Sequence, residues 1–325
     1  GVGAGTVVVY LAFKRLRRAV APFWRTKEEV AELAQLDFES DSLVKNGFTV
    51  QKAQQLGEID VLVIGSGLSG LTVAAMLARH GWKVLVLEQH DQAGGNCHTF
   101  SKQCTTEGRT VEFEFDTGVH YLGGELDVPT ASMRKVYDFV TGGVVRWGRL
   151  DHVYDVAVCT GEGKTDPAET FDFSADFDET RRALIRRFQP AETSAIEQFF
   201  KQLYTTTGAA VIGWFFWKLG APKFFAAQFF QYARQTTREI MMSMQGMTPK
   251  LLGVLTYCFG DHGLQPGRSS WAVQALISKH YERGAFFPIG GPSRIAKAAV
   301  AVINKCGGAV MVRAPVSKIL IENES

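Results

Sequence analysis

A glycine-rich turn between an apolar strand and a helix is the feature that most constrains the fold of this chain. Residues 59–64 read IDVLVI, and such a nearly continuous apolar run is typical of a strand in the middle of a parallel sheet. A G-x-G-x-x-G pattern follows at once and opens a segment whose apolar residues repeat at helical spacing. A second apolar strand, KVLVLE, ends at Glu88. The pattern predicts a β-α-β unit of about 30 residues.

The residues of this turn are those that a dinucleotide requires. Gly65 permits the tight turn, Gly67 lets the backbone approach a pyrophosphate, and Gly70 lets the helix pack closely on the strand. The first turn of the helix offers unpaired N–H groups and the positive end of the helix dipole to the phosphates. A carboxylate at Glu88 can accept hydrogen bonds from ribose hydroxyls and would repel a 2′-phosphate, so NADP is disfavoured at this site.

The composition excludes several classes of protein. The 325 residues carry 35 Lys+Arg and 33 Asp+Glu, a net charge of +2, and 46% of them are hydrophobic. These values exclude a disordered chain and give no polycationic signature of a nucleic-acid-binding protein. Five cysteines form an odd, scattered set rather than a disulfide framework. Cys97 and His98 with His90 do not make a recognised ligand set, so we expect no metal.

The first 24 residues combine an apolar run with a basic flank. Residues 1–13 contain no charge, and a cluster of Lys and Arg follows at 14–18. An apolar helix of that length measures about 20 Å, which is short of the ~30 Å hydrocarbon core of a bilayer. We interpret residues 1–24 as the remnant of a membrane anchor or signal, with an N-terminal helix packed on the core as the alternative. Because the chain begins at Gly1, we expect an N-terminal fragment of a longer protein.

The remaining segments alternate between strand and helix patterns. Alternation of Val111, Phe113 and Phe115 predicts a half-buried strand at 110–115. We also predict strands at 154–158 and 170–173, and two helices within 178–203 that are separated by Pro190. A further helix is predicted at 292–305, where glycines end it, and a strand-like segment follows at 309–322.

These elements predict an α/β fold in which the Rossmann-like dinucleotide-binding βαβ domain is discontinuous. Residues 25–57 are polar and read as a linker or helical arm. The first part of the dinucleotide domain occupies 58–150, an inserted α+β substrate domain occupies 151–285, and the chain returns to the first domain at 286–325.

A second glycine pair, Gly94 and Gly95, follows Glu88 and permits another close backbone approach to a long dinucleotide. The pair resembles the extended motif of the flavin-containing amine oxidase and phytoene desaturase superfamily, with Asn96 where that family usually has a basic residue. Over approximately 59–321 the chain resembles the carotenoid desaturase and isomerase family. Four runs carry this resemblance in the same order: 63–100, 115–124, 255–266 and 278–310.

The resemblance implies a flavin enzyme that reduces a C=C bond of a polyene lipid, either a retinoid or a carotenoid. It implies FAD as the cofactor and NAD(P)H as an indirect electron donor. A carotenoid isomerase and a phytoene-type desaturase are the alternatives within the family. A prenyl-binding escort of the Rab GDP-dissociation-inhibitor type is the alternative from another class. The glycine motif of those escorts looks degenerate, whereas the motif of this chain is intact. The residues that the resemblance assigns to FAD are Gly65, Gly67, Leu68, Ser69, Gly70, Glu88, Gln89, Gly94, Gly95, Asn96 and Val316.

An aromatic cluster at 208–232 contains only Lys218 and Lys223 as charged residues. Two short helices of this composition would suit a membrane interface and would admit a lipid-soluble substrate. The alternative is an aromatic core of the substrate domain. We expect association with a membrane surface, of the endoplasmic reticulum or of a plastid. The cluster consists of Trp214, Phe215, Phe216, Trp217, Phe224, Phe225, Phe229, Phe230 and Tyr232.

Saturation of a C=C bond needs a hydride for one carbon and a proton for the other. His120, Tyr121, His280 and Tyr281 are the acids to test first, but a lone His or Tyr is more often structural, so we assign no catalytic residue. In the family, a closing FAD motif lies in later segments. We therefore expect the 325 residues alone to be inactive and to bind FAD poorly.

Overall fold

The computed structural model describes two compact units of the chain. The first unit draws on 1–121, 126–148 and 286–325, and the inserted unit draws on 122–125 and 149–285. The predicted α/β fold, with a Rossmann-like domain interrupted by an insertion, is confirmed. The residues that the structure describes are 9–11, 27–35, 41–160, 168–188, 190–218 and 226–320.

Strands and α-helices follow one another along the described part of the chain. The strands are β1 Val9–Leu11, β2 Val61–Ile64, β3 Val84–Leu87, β4 Thr99–Thr106, β5 Arg109–Asp116, β6 Trp147–Arg149, β7 Val153–Cys159, β8 Glu169–Ser174, β9 Phe286–Pro288 and β10 Ala309–Met311. The α-helices are α1 Lys27–Ala34, α2 Val50–Gln55, α3 Leu68–Arg79, α4 Ser132–Val140, α5 Phe177–Arg187, α6 Thr193–Lys218, α7 Ala227–Arg234, α8 Thr237–Met242, α9 Pro249–Leu255, α10 Trp271–His280 and α11 Ser293–Lys305.

The first unit is built on a sheet in the order β1-β2-β3-β10. Strands β2 and β3 are parallel, with Val63 opposite Val86, and β10 is parallel to β3. The predicted β-α-β unit is therefore confirmed. Val61, Val63, Val84 and Val86 are each at most 1% exposed, as the continuous apolar pattern predicts for a covered sheet.

Helices α3 and α11 cover this sheet. Helix α11 contacts both α3 and β10, and its residues from 295 to 303 are buried. The small residues Ala74, Ala75 and Ala78 bury the facing side of α3, which lets the two helices approach closely. In this packing, the first turn of α3 lies directly after the end of β2.

The polar arm before the first Rossmann strand packs on the first unit. Val44 is 1% exposed, and its carbonyl accepts a hydrogen bond from the Ala93 amide at 2.8 Å. Phe48 donates to the carbonyl of Val312 at 2.9 Å, and Gly47 and Val312 form a parallel bridge. The arm thereby contacts the loop after β3 and the chain that follows β10.

Strands β4 and β5 form an antiparallel hairpin in which Phe100 lies opposite Phe115. The predicted strand at 110–115 is confirmed, but its predicted half-burial is wrong. Phe113 is 50% exposed and Val111 is 49% exposed. Alternation assigns these residues to one face of the hairpin, and in the first unit that face is not covered.

The inserted unit encloses its own apolar core. The two predicted strands are β7 and β8, which pair antiparallel. Helices α5 and α6 lie on either side of a 3₁₀ turn that begins at Pro190, as the predicted break requires. Trp271 is 0% exposed at the centre of this core, and its Nε1–H donates to the hydroxyl of Thr206 at 2.8 Å. Phe199, Leu203, Met241 and Leu251 belong to the same cluster.

Side-chain caps determine where several helices of the inserted unit begin. The Asp176 carboxylate accepts from the amide of Asp178 at 2.8 Å at the start of α5. Thr236 and Glu239 form a reciprocal capping box on α8. Thr248 caps α9, in which Pro249 occupies the first turn without losing a helical hydrogen bond.

Two predictions at the ends of the chain differ from the structure. Val9–Leu11, within the apolar N-terminal run, form strand β1 antiparallel to β2 rather than a helix, and the rest of residues 1–24 lies outside the described residues. The final strand ends at Met311, and residues 313–320 have no regular structure. Among the helices that the structure describes, none combines the length and the apolar character needed to cross a bilayer.

Candidate functional site

The glycine turn joins β2 to α3 and leaves an open backbone cradle. Gly67 caps the helix in an extended conformation without a side-chain hydrogen bond. A Cβ atom placed on Gly67 would meet no atom within 4 Å, so the space above this backbone is free. At Gly70, by contrast, a Cβ would collide with the carbonyl oxygen of Gly65. The turn therefore combines tight helix–strand packing with exposed N–H groups that suit a phosphate.

The second glycine pair closes on the first. A Cβ atom on Gly95 would lie 2.9 Å from the Cα of Gly67, a distance that side chains do not tolerate. The Gly94 amide donates to the carbonyl and the hydroxyl of Ser66, each at 3.2 Å. The two glycine motifs, which are separate in the sequence, therefore lie directly against each other in the fold.

Glu88 lies at the end of β3 and is 9% exposed. Its Oε2 atom accepts from the amide and the hydroxyl of Ser66 at 2.8 and 2.7 Å, and its Oε1 atom accepts from the His90 amide at 2.9 Å. Burial raises the pKa of Glu88, but these hydrogen bonds outweigh burial and hold the pKa below its usual value. The carboxylate is therefore ionised at neutral pH beside the glycine turn.

Ser66 is the residue of this site that sequence reasoning missed. It is 0% exposed and contacts both Glu88 and Gly94. The only signal in the sequence is its position between two glycines, where a small polar side chain reaches both neighbouring loops. Nothing in the G-x-G-x-x-G pattern itself distinguishes this position from any other unspecified one.

The remaining residues assigned by resemblance lie in three places. Leu68 and Ser69 form the first turn of α3, and Gln89 and Asn96 are exposed on the loops that follow β3. Val316 was expected in a strand that returns to the nucleotide domain, but it lies in the irregular segment beyond β10. The part of this segment nearest the site is Ala314, whose amide donates to the backbone carbonyl of Glu88 at 2.8 Å.

The candidate acid His280 is part of a structural contact in the inserted unit. Its Nε2 atom accepts from the Gly123 amide at 2.9 Å, and its carbonyl accepts from the Gly124 amide at 3.0 Å. Burial lowers the pKa of His280, so its ring is neutral and its proton lies on Nδ1. This contact joins the runs FDTGVHYLGG and SKHYERG, and it explains why 122–125 belong to the inserted unit.

The other candidate acids have different surroundings. The Tyr281 hydroxyl, in a ring that is 6% exposed, donates to Asp261 at 3.0 Å. The His120 side chain is 65% exposed, with Nδ1 at 3.9 Å from the Asp116 carboxylate. Tyr121 is half-buried at the end of the same loop. Of these contacts, the one between Tyr281 and Asp261 is a hydrogen bond between two acidic side chains.

The residues considered for a metal lie near the second glycine pair. The rings of His90 and His98 stack with centroids 5.4 Å apart, and His98 Nδ1 lies 2.6 Å from the Gly95 carbonyl. Burial raises the pKa of the Cys97 thiol to about 12. Within the described residues, no group of three His, Cys, Asp or Glu side chains is arranged to hold a metal ion.

The sequence of this chain is similar to those of known proteins. Residues 63–133 match the model of the NAD(P)-binding Rossmann-like domain. The chain is 33% identical over 300 residues to an all-trans-retinol 13,14-reductase of Danio rerio, an alignment that covers 87% of this chain and 46% of the relative. It is 34% identical over 280 residues, covering 82% of this chain and 43% of the relative, to a Danio rerio protein named an inactive all-trans-retinol 13,14-reductase.

A more distant relative is named an isomerase. The chain is 25% identical over 330 residues to prolycopene isomerase 1, chloroplastic, of an Oncidium hybrid cultivar. This alignment covers 95% of the chain and 50% of the relative. The chain therefore spans about half the length of the curated relatives that it matches.

The parallel sheet, the double glycine turn and the matched segment define a Rossmann-like dinucleotide-binding protein. Its homologues are all-trans-retinol 13,14-reductases and, more distantly, carotenoid isomerases and desaturases. The resemblance to the carotenoid desaturase and isomerase family is thereby confirmed.

Proposed function

We propose that this protein is an FAD-dependent oxidoreductase that saturates the 13,14 double bond of all-trans-retinol to give 13,14-dihydroretinol. The observation that carries the proposal is the open cradle at Gly67, bordered by Gly95, in a chain that aligns over 87% of its length with an all-trans-retinol 13,14-reductase. A lipophilic polyene, retinoid or carotenoid, is then the substrate class.

The residues around the cradle fit the adenosine diphosphate half of FAD. The first-turn amides of Leu68 and Ser69 would bind the pyrophosphate, and the ionised Glu88 would accept a hydrogen bond from a ribose hydroxyl. When bound, FAD supplies the hydride transfer that saturation of a polyene requires. The same carboxylate disfavours a 2′-phosphate, so NADPH would deliver electrons from elsewhere, as an indirect donor.

The proton for the second carbon must come from a side chain or from water. His280 is unsuited to this role because its Nε2 accepts from Gly123 and its ring is neutral. His120 and Tyr121 remain the residues to test, and no catalytic residue is assigned.

Isomerisation is the alternative reaction, and similarity to one relative favours it. Similarity to a prolycopene isomerase favours isomerisation of a polyene without net redox change. A prenyl-binding escort without redox chemistry is less favoured, because the cradle and the acidic residue are intact.

Product mass distinguishes these reactions. A purified full-length version of the protein would be reconstituted with FAD, reduced with dithionite, and incubated with all-trans-retinol and with carotenoids. Saturation predicts a product heavier by two hydrogen atoms together with reoxidation of the flavin. A product of unchanged mass and altered retention would favour the isomerase. A product lighter by two hydrogens, in a parallel incubation with oxidised FAD as the electron acceptor, would favour the desaturase. A colourless protein that binds prenyl groups and transfers no hydrogen would contradict the proposal.

A membrane surface is the partner that we propose for helix α6. Tyr204, Val211, Ile212 and Phe215 lie on one face at helical spacing and are 47 to 70% exposed. Exposed aromatic and aliphatic side chains on one helix face suit the interface of a bilayer, from which a polyene would be drawn. The endoplasmic reticulum, or a plastid in a photosynthetic source, is the proposed location.

Sedimentation with phosphatidylcholine vesicles tests this surface. A Val211→Ser/Phe215→Ser variant is expected to lose vesicle binding. Leu264→Ser is the matched control, because Leu264 is 46% exposed in the same unit but lies outside α6. Equal binding by wild type and the double variant would contradict the assignment of α6.

A further inference from the structure

Ser66 is buried at the centre of three loops of the first unit. Its amide and its hydroxyl both reach Glu88 Oε2, at 2.8 and 2.7 Å. From the other side, the Gly94 amide donates to the carbonyl and hydroxyl oxygens of Ser66, each at 3.2 Å. One small side chain therefore links the glycine turn, the acidic residue after β3 and the second glycine pair.

The directions of these hydrogen bonds are determined by the donors available. The amide of Gly94 can only donate, so the Ser66 hydroxyl accepts from it and has its single proton left for Glu88. Two donors then converge on Oε2, which suits a carboxylate and leaves no room for a proton on that oxygen. Both hydrogen bonds from Ser66 go to Oε2 of Glu88. A hydroxyl group of the ligand would therefore donate its hydrogen bond to Oε1.

We propose that Ser66 is a positioning residue of the dinucleotide site: it orients the Glu88 carboxylate toward the ligand ribose and holds the two glycine motifs together. The inference rests on the proposed dinucleotide site, but not on the polyene reaction. Ser66 has no exposed surface and acts through Glu88 and Gly94 rather than by touching the ligand.

The leading influences on the pKa of Glu88 agree with this role. Burial raises the pKa, and hydrogen bonds from His90, Ser66 and Gln89 lower it. Removal of the Ser66 hydroxyl takes away one of the groups that favour the ionised form, so the pKa of Glu88 is expected to rise in Ser66→Ala. A hydroxyl that merely filled space would not have this effect.

Binding of ADP and FAD to the full chain tests the proposal. Ser66→Ala is expected to raise the Kd of both ligands by about 10- to 150-fold at neutral pH, the loss typical of one hydrogen bond to a charged group. Ser66→Cys, which retains size and a weak donor, is expected to lose less. Ser269→Ala is the matched control, because it removes a hydroxyl that is 1% exposed and hydrogen-bonded to Thr237 at 2.8 Å in the inserted unit.

A double-mutant cycle separates positioning from general stability. If Ser66 acts through Glu88, Ser66→Ala should weaken ADP binding much less in a Glu88→Gln background than in the wild type. Additive losses in the cycle, or an unchanged Kd in a Ser66→Ala protein that is merely less stable, would overturn the proposal. The acid dependence of binding is a further readout: the pH at which affinity falls should be higher in Ser66→Ala.

The results also distinguish this inference from the proposed function. A chain that binds ADP and loses affinity on Ser66→Ala, together with a full-length protein that reduces no polyene, would contradict the proposed reaction and support the role of Ser66. A wild-type chain that binds neither ADP nor FAD would overturn both.

Discussion

The Oε2 atom of Glu88 accepts two hydrogen bonds from Ser66, one from the amide at 2.8 Å and one from the hydroxyl at 2.7 Å. This contact fastens the end of one parallel strand to the glycine turn that follows the other. It also places an ionised carboxylate within the first unit, where Glu88 is 9% exposed. The candidate dinucleotide site is thus held together by a buried charge as well as by close backbone packing.

Glu88→Gln is expected to destabilise the chain by about 1–3 kcal/mol at neutral pH, because two converging donors lose their charged acceptor. The pKa of Glu88 is below its usual value of 4.5, so its ionised form stabilises the folded state above that pH. This stabilisation is lost as the pH falls through the folded-state pKa. Urea unfolding at about pH 7 and at about pH 3.5 should therefore show a difference between the two proteins that shrinks in acid.

Glu112→Gln provides the control for this prediction. Glu112 is an exposed carboxylate of β5 in the same unit, and its replacement should change stability by less than about 0.5 kcal/mol at either pH. A Glu88→Gln effect that is equally large in acid and at neutrality would contradict the role given to the ionised carboxylate.

Gly70→Ala is expected to destabilise the first unit by about 1–3 kcal/mol, because the added methyl group collides with the Gly65 carbonyl. Gly253→Ala is the matched control, since a Cβ at Gly253 in helix α9 meets no atom within 4 Å. The control should stabilise its helix by about 0.5–1 kcal/mol. Equal urea midpoints for the two variants would show that the helix–strand contact is not tight.

His280→Ala is expected to cost about 1–3 kcal/mol at neutral pH, because the buried Gly123 amide loses its acceptor. Burial lowers the pKa of His280 below its usual 6.5, so the folded state favours the neutral ring. The resulting stability is fully present above pH 6.5 and falls as the pH drops toward the folded-state pKa. Thermal unfolding between about pH 8 and pH 5 should show this loss in the wild type and not in His280→Ala.

His120→Ala tests whether this acid sensitivity belongs to the buried ring. The His120 side chain is 65% exposed, so its replacement should leave the wild-type pH dependence in place. Loss of the pH dependence in His120→Ala would show that it arises from His120, which would contradict its assignment to His280.

The β4–β5 hairpin has an apolar face that is turned outward. Phe100 and Phe115 stack on this face at 5.4 Å, whereas Glu114 on the opposite face lies near Gly291. Phe113→Ser should therefore lower the binding of an apolar dye such as ANS while stability changes by less than about 0.5 kcal/mol. Thr105→Ser, on the opposite face, should leave dye binding unchanged, and equal dye binding by all three proteins would contradict this description of the hairpin.

Sequence reasoning was reliable where one local pattern determines one structure. The apolar runs before Gly65 and before Glu88 predicted parallel strands, and both are buried as the pattern requires. Gly70 was assigned to close helix packing, and the collision of a Cβ with the Gly65 carbonyl gives that assignment its physical reason. The break at Pro190 likewise separates α5 from α6.

Other features depend on contacts that a linear pattern does not contain. The alternation in β5 identified a face but not whether another element covers it, so the burial of Phe113 was predicted wrongly. Val316 has strand propensity but no strand partner within the described residues. The link between Ser66 and Gly94 joins residues 28 positions apart, and it becomes visible only once the two loops are folded together.

Titration of the chain with ADP and FAD, for the wild type and for Gly67→Glu, tests the central claim most directly. Gly67 has an extended backbone and free space around it, so a glutamate should fold there, occupy the cradle and repel the pyrophosphate. Gly260→Glu is the control, because it adds the same charge at another open position. We predict that wild type and Gly260→Glu bind ADP and FAD with affinities within about tenfold of each other. Gly67→Glu should bind neither ligand at an unchanged Tm, and ADP binding by Gly67→Glu as tight as that by the wild type would contradict the dinucleotide site.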